Sequence, residues 1–237
     1  MFVRTLAFLY SLSKSKCLSY YMSYERLARF YKLIESITIG PPLLNARLAH
    51  LDLLAEGPTP KHALLIGEGN GSFLLPFAQR FQDTQITVID QSAAMLEIAQ
   101  SRALEAGIDM TRIFFRQADM RSVTLPANYY DLIVTLFFFD NFDESTVCKM
   151  IPALEGAATV SAQWLLADFQ IPEHGWRRLR ARFWLAILYG FFRVFAAIPA
   201  RHLPPIEAIL NSSDFKQTAR KTSCGQMLYS TLYQRSV

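Results

Sequence analysis

A chain of 237 residues, 51% of them apolar, can bury one sizeable core and is too apolar to be disordered. Its three scattered cysteines, Cys17, Cys148 and Cys224, exclude a disulfide framework or zinc cluster and suit a reducing cytosol. The histidines His50, His62, His174 and His202 lack metal-ligand spacing, so no metal is expected, and the net charge of +4 is modest.

Residues 1–12 are apolar around Arg4 and run into Lys14 and Lys16 without a small-residue cleavage site, so they read as a short arm and not a signal peptide. From Ser23, the residues Tyr24, Leu27, Ala28, Tyr31, Ile34 and Ile37 recur at helical spacing, and Gly40-Pro41-Pro42 is expected to end that helix. A second helix is expected over 43–55, with Gly57-Pro58-Thr59-Pro60 as linker. Residues 1–60 therefore read as a helical flank or lid, and 61–237 as the main domain.

Strands over 63–66, 85–89, 113–116, 130–138 and 164–168 alternate with helices over 73–81, 93–106 and 144–154. Two β-rich runs, 215–222 and 226–233, flank Ser223-Cys224-Gly225 and read as an antiparallel hairpin. The fold class is α/β: a Rossmann-like, doubly wound, seven-stranded sheet, mostly parallel with an antiparallel last strand and helices on both faces.

One insertion, at about 174–205, breaks the rhythm. Between Glu173 and Pro205 it carries six arginines (Arg177, Arg178, Arg180, Arg182, Arg193, Arg201) against one glutamate. A span needs roughly 20 consecutive apolar residues, and Arg193 and Pro199 cut the run starting at Phe183 short. A helix over the active site, or one at an anionic membrane interface through 176–198, fits better.

Cofactors meet parallel sheets at the carboxyl ends of strands. After the first strand comes Gly67-Glu68-Gly69-Asn70-Gly71, where glycines permit positive φ and close approach of a ligand. The second strand ends in Asp90, 19 positions beyond Gly71 and suited to two ribose hydroxyls. The third is followed by Asp119-Met120, a carboxylate beside an apolar side chain, and the fourth by Phe137-Phe138-Phe139-Asp140-Asn141.

With Leu64–Gly71, Val88–Leu96, Gln117–Met120 and Tyr130–Val134 in this order and spacing, the sequence resembles the class I S-adenosylmethionine-dependent methyltransferases, in their ubiquinone/menaquinone-biosynthesis-like branch, from about Ser23 onward. The resemblance implies that Gly67, Gly69, Gly71 and neighbouring Asn70 pass under the methionine part of S-adenosylmethionine. It implies that Asp90 holds the ribose, with Gln91 and Met95 beside the adenine; that Asp119 accepts from the adenine amine while Met120 packs on the ring; and that Leu136 and Phe137 line the sulfonium region. Leu65 stands where the family usually has an acid, so Glu68 either meets the cofactor's ammonium or points to solvent.

A general base is needed only where the acceptor must lose a proton, and Asp140, Asp168 and His174 are the candidates. The phenylalanine-rich and arginine-aromatic stretches suggest a lipid, quinone precursor or other apolar or amphipathic acceptor. The expected setting is the cytoplasm, with peripheral contact at the inner face of a membrane as the alternative. A nicotinamide-dependent Rossmann oxidoreductase would share the loop and Asp90 but leave Asp119-Met120 and the hairpin unexplained. A non-catalytic nucleotide- or nucleic-acid-binding protein would use the arginines, but the aromatic residues among them have the density of a buried helix, not of stacking platforms, which argues against nucleic acid as a partner.

Overall fold

The computed structural model describes residues 40–195 and 203–236. The expected arm over 1–12, the helix carrying Tyr24 and Tyr31, and the 196–202 part of the insertion lie outside the described residues.

Seven strands form one sheet: β1 (His62–Ile66), β2 (Gln85–Asp90), β3 (Ile113–Gln117), β4 (Tyr130–Leu136), β5 (Ala158–Phe169), β6 (Phe215–Ser223) and β7 (Leu228–Arg235). Their order is β3-β2-β1-β4-β5-β7-β6. The first five are parallel, while β7 runs antiparallel to both β5 and β6. The expected sheet and hairpin are present. The hairpin turn is tight because Cys224, Gly225 and Gln226 all take positive φ.

Near-continuous apolar strands are what a doubly covered parallel sheet requires. In β1 the four residues Ala63 to Ile66 are all buried and alternate between two cores. Ala63 and Leu65 face a core with α2 (Leu51–Glu56), α3 (Leu74–Arg80) and α4 (Ala93–Glu105). Leu64 and Ile66 face the opposite core, with α5 (Glu144–Ala157) and, further along the chain, a short helix over Ile206–Asn211. Burial of a full aliphatic side chain contributes about 1.5–3 kcal/mol, so these two layers are the main stabilising element.

Three boundaries differ from expectation. The region 43–55 is two helices, α1 (Gly40–Leu48) and α2. They part because His50 Nε2 pairs with the Ser230 carbonyl at 2.9 Å and Lys221 Nζ donates to the Ala49 carbonyl at 2.5 Å, tying the break to the terminal hairpin. Gly40-Pro41-Pro42 forms the first turn of α1, since proline is tolerated there, where its missing N–H has no helical partner; the helix it was expected to end lies outside the described residues. β4 stops at Leu136, two residues early, because Phe137 adopts φ +56°.

β5 is longer than expected and begins at Ala158. Its early residues Thr159, Val160 and Ser161 are not buried, so no apolar run marks them. The insertion forms α6 (Gly175–Phe195). Among the described residues no helix is long and apolar enough to cross a membrane.

Candidate active site

The strand order reverses between β1 and β4, and the glycine loop leaves β1 at that switch. Gly67, Gly69 and Gly71 have φ of +64°, +66° and +81°, a region L side chains rarely enter. Each glycine answers a different need. A Cβ on Gly67 would lie 2.5 Å from the Phe138 ring, and one on Gly71 would press on Leu75 and on Ala99 of α4. A Cβ on Gly69 would meet nothing within 4 Å among the described residues, so the crest of the loop is open to them.

Asp90 closes the loop. Its Oδ2 accepts from the Gly69 amide at 3.1 Å and its Oδ1 from the Ser92 amide at 2.9 Å. Ser92 in turn caps α4 by accepting from the Met95 amide. Burial raises the pKa of Asp90, and those amides oppose the rise. Each carboxylate oxygen keeps a lone pair for a further donor.

Glu68 does not point to solvent. It is buried, and its Oε1 accepts from the Phe73 and Leu74 amides at 2.7 and 2.9 Å, at the start of α3. A helix N-terminus leaves N–H groups unpaired and favours negative charge, so the side chain folds back onto it. Burial raises its pKa, with Arg47 acting in the opposite direction. Leu65 is wholly buried in the core. Asn70 is buried as well, and its Oδ1 accepts from Ser72 Oγ.

Asp119 is clasped by Arg121, two residues on. Arg121 Nε and Nη2 reach its carboxylate at 2.9 and 2.5 Å, and the Arg121 amide donates to Oδ1. That pairing lowers the pKa of Asp119. Asp119, expected to accept from an adenine amine, therefore shares its carboxylate with Arg121, a partner the sequence reading did not include. Met95, Met120 and Leu136 are buried, while Gln91 is exposed and its carbonyl accepts from Gln117 Nε2.

Beyond β4 and β5 lies a second group of acids. Phe137 holds its positive φ with its amide on the Ala167 carbonyl at 2.7 Å, and its ring packs 5.1 Å from that of Phe169. Asp140 sits in a short 3-10 turn, Phe139–Asn141, and Asp168 near the end of β5. Both are buried. Asp168 Oδ1 accepts from the Phe169 amide, while Oδ2 has no hydrogen-bond partner among the described residues. Burial pushes the Asp140 pKa up to about 7, against the pull of Arg47. Burial and the nearby Asp140 raise Asp168 well above the usual carboxylate range.

Arg47 is the residue sequence reasoning missed. It is a buried cation on α1, 5.3 Å over the Phe137 ring, and it interacts electrostatically with Glu68 and Asp140. The available sign was a lone arginine within the apolar run Leu43 to Leu48. His174, by contrast, is not brought into this group. Its side chain is 89% exposed beside Glu173, on the rim of an open pocket lined by Ile171, Pro172, Arg178 and Arg182. Among the described residues no group of three His, Cys, Asp or Glu side chains can hold a metal.

Residues 63–156 match the family model described as a methyltransferase domain, a stretch holding the glycine loop, Asp90, Asp119 and Asp140 but not β5. Solved methyltransferases share the fold. The magnesium protoporphyrin IX methyltransferase of Synechocystis, solved with bound S-adenosylhomocysteine (SAH), is 20% identical over 81% of this chain and 83% of its own, with a TM-score of 0.58. The N-methyltransferase NodS of Bradyrhizobium japonicum is 16% identical over 83% of this chain and 98% of its own, with a TM-score of 0.57. An O-methyltransferase family 2 protein of Planctomyces limnophilus, in complex with apigenin, is 15% identical over 88% of this chain, with a TM-score of 0.66; the present chain spans 62% of its length. No curated protein matches the sequence. Residues 63–156 are thus similar to a methyltransferase domain, and the solved methyltransferases share the fold of the sheet around them.

Proposed function

We propose that this chain is an S-adenosylmethionine-dependent methyltransferase acting on a small apolar or amphipathic acceptor, in the ubiquinone/menaquinone-biosynthesis-like branch. The observation that carries the reading is the open crest at Gly69, fixed by Asp90 at the sheet's switch point. The residues fit the cofactor: Gly67, Gly69 and Gly71 give a backbone cradle, Asp90 keeps acceptor capacity for ribose hydroxyls, and Met95, Met120 and Leu136 give apolar walls. When bound, S-adenosylmethionine supplies an already activated methyl group.

The protein's part is then to align the acceptor, keep water out and, where needed, take a proton. Phe137 and Phe169 provide the dry wall. Asp140, buried with a pKa near neutrality, is suited to accept a proton from an acceptor hydroxyl; Asp168 beside it acts through Asp140 as a positioning residue. His174 is too exposed to serve in a dry site and is left to the rim. The branch assignment rests on the run Ile89-Asp90-x-Ser-x-x-Met-Leu. The small-molecule class accords with the apigenin held by the Planctomyces protein.

Calorimetry with S-adenosylmethionine, SAH and NADH tests the cofactor. Binding of NADH alone would refute the reading in favour of an oxidoreductase. Mass spectrometry of small molecules retained by the purified protein, followed by a labelled-methyl assay on lipid and small-molecule extracts, then identifies the acceptor.

A further inference from the structure

Helix α6 has two unlike faces. Ala181 and Leu185 are buried in a cluster with Ala46, Phe169, Met227 and Leu228, and Phe137 packs at its edge. Trp176, Leu179 and Phe183 project the other way, 67%, 70% and 63% exposed. At about 100° per residue these three form one stripe opposite the buried pair. Arg182 and Arg180 then border the stripe on its two sides, with Arg178 and Arg177 beyond them, nearer the buried pair but still exposed. Arg180 also pins the helix to the hairpin turn, donating to the Cys224 carbonyl at 2.8 Å and lying 5.0 Å over the Trp176 ring. The whole helix carries five arginines and no acidic residue.

An exposed apolar stripe bordered by cations suits the boundary between lipid headgroups and acyl chains, where arginines meet phosphates and aromatic rings enter the apolar layer. We infer that the Trp176–Leu179–Phe183 face of α6 docks the protein on an anionic phospholipid bilayer. Charge decides the occupant. Residues 1–39, the longest stretch outside the described residues, hold six Lys or Arg against two Glu and would be repelled by the arginine borders. A second copy pairing through the same face would set arginines against arginines. An open pocket of about 410 Å³ lined by Ile171, Pro172, Glu173, His174, Arg178 and Arg182 presents two guanidinium groups to a lipid phosphate, beside the single carboxylate of Glu173.

The inference stands apart from methyl transfer: a chain that binds vesicles but no S-adenosylmethionine keeps this proposal and loses that one. The test is flotation of the full chain with phosphatidylcholine vesicles, with and without phosphatidylglycerol, at rising salt, alongside tryptophan fluorescence. The expected result is flotation only with phosphatidylglycerol, salt-sensitive, with a blue shift that disappears in Trp176→Phe while flotation persists. Each of Arg177→Gln, Arg178→Gln and Arg182→Gln is expected to weaken binding roughly five-fold. Leu179→Ser with Phe183→Ser is expected to abolish it while leaving the melting temperature unchanged. Absence of flotation at low salt, unaltered binding by these variants, or a dimer that Leu179→Ser dissociates would each overturn it.

Discussion

Two pairs of aspartates mark the carboxyl edge of the sheet, and they are used in opposite ways. Asp90 and Asp119 have every carboxylate oxygen met by an N–H donor, from backbone amides in one case and chiefly from Arg121 in the other. Asp140 and Asp168 are buried, and Asp168 Oδ2 has no partner among the described residues. The first pair holds a shape. The second holds charge or protons where water is scarce, an expensive arrangement that proteins keep where chemistry uses it.

The largest effect is expected from Asp90→Ala, which leaves the Gly69 and Ser92 amides without their acceptor. It also removes the acceptor proposed for two ribose hydroxyls, and two charge-assisted bonds to the ligand at about 1.5–3 kcal/mol each predict at least a 100-fold loss of S-adenosylmethionine affinity by calorimetry. Unchanged affinity would remove Asp90 from the cofactor side. Gly67→Ala should follow, at about 2 kcal/mol of stability in urea denaturation, because φ is positive and the Phe138 ring must move. This glycine is where the loop after β1 meets the Phe138 ring beyond β4.

Asp140→Asn tests the second pair through pH. The folded pKa of Asp140 lies above its unfolded value, so the native state binds more protons between about pH 4 and pH 7. Stability should fall as pH rises through that window, by up to about 1.4 kcal/mol per unit for one such group, and level off above it. The variant should flatten the slope between pH 5 and pH 7, and a wild-type-like slope would count against the buried acid. The smallest effect is expected from Glu68→Gln. It keeps an acceptor for the Phe73 and Leu74 amides and should cost about 0.5–1 kcal/mol of stability with cofactor affinity intact. Weakened affinity would return Glu68 to the ligand.

Much of this was legible because it follows from local rules. Strand runs such as Leu64-Leu65-Ile66, the glycine spacing and the hairpin around Gly225 each specify backbone within a few residues. What escaped was set by partners far away in the chain. The break at Ala49-His50 is imposed by Ser230 and Lys221, and Arg47 reaches Glu68 and Asp140 only after the sheet brings them together. The partner of Asp119 escaped for the opposite reason: it is a neighbour only two residues away, Arg121, whose guanidinium donates to the same oxygens.

The position of β7 has a consequence for how the molecule is assembled. It follows every other strand in the chain yet occupies an interior place, between β5 and β6. Until its residues are available, β5 presents an open edge of unpaired amides and carbonyls, and β6 has no sheet to join. A nascent or truncated chain lacking Leu228–Arg235 therefore exposes an adhesive edge flanked by apolar surface, which makes chaperone dependence and edge-to-edge aggregation the expected hazards of its folding.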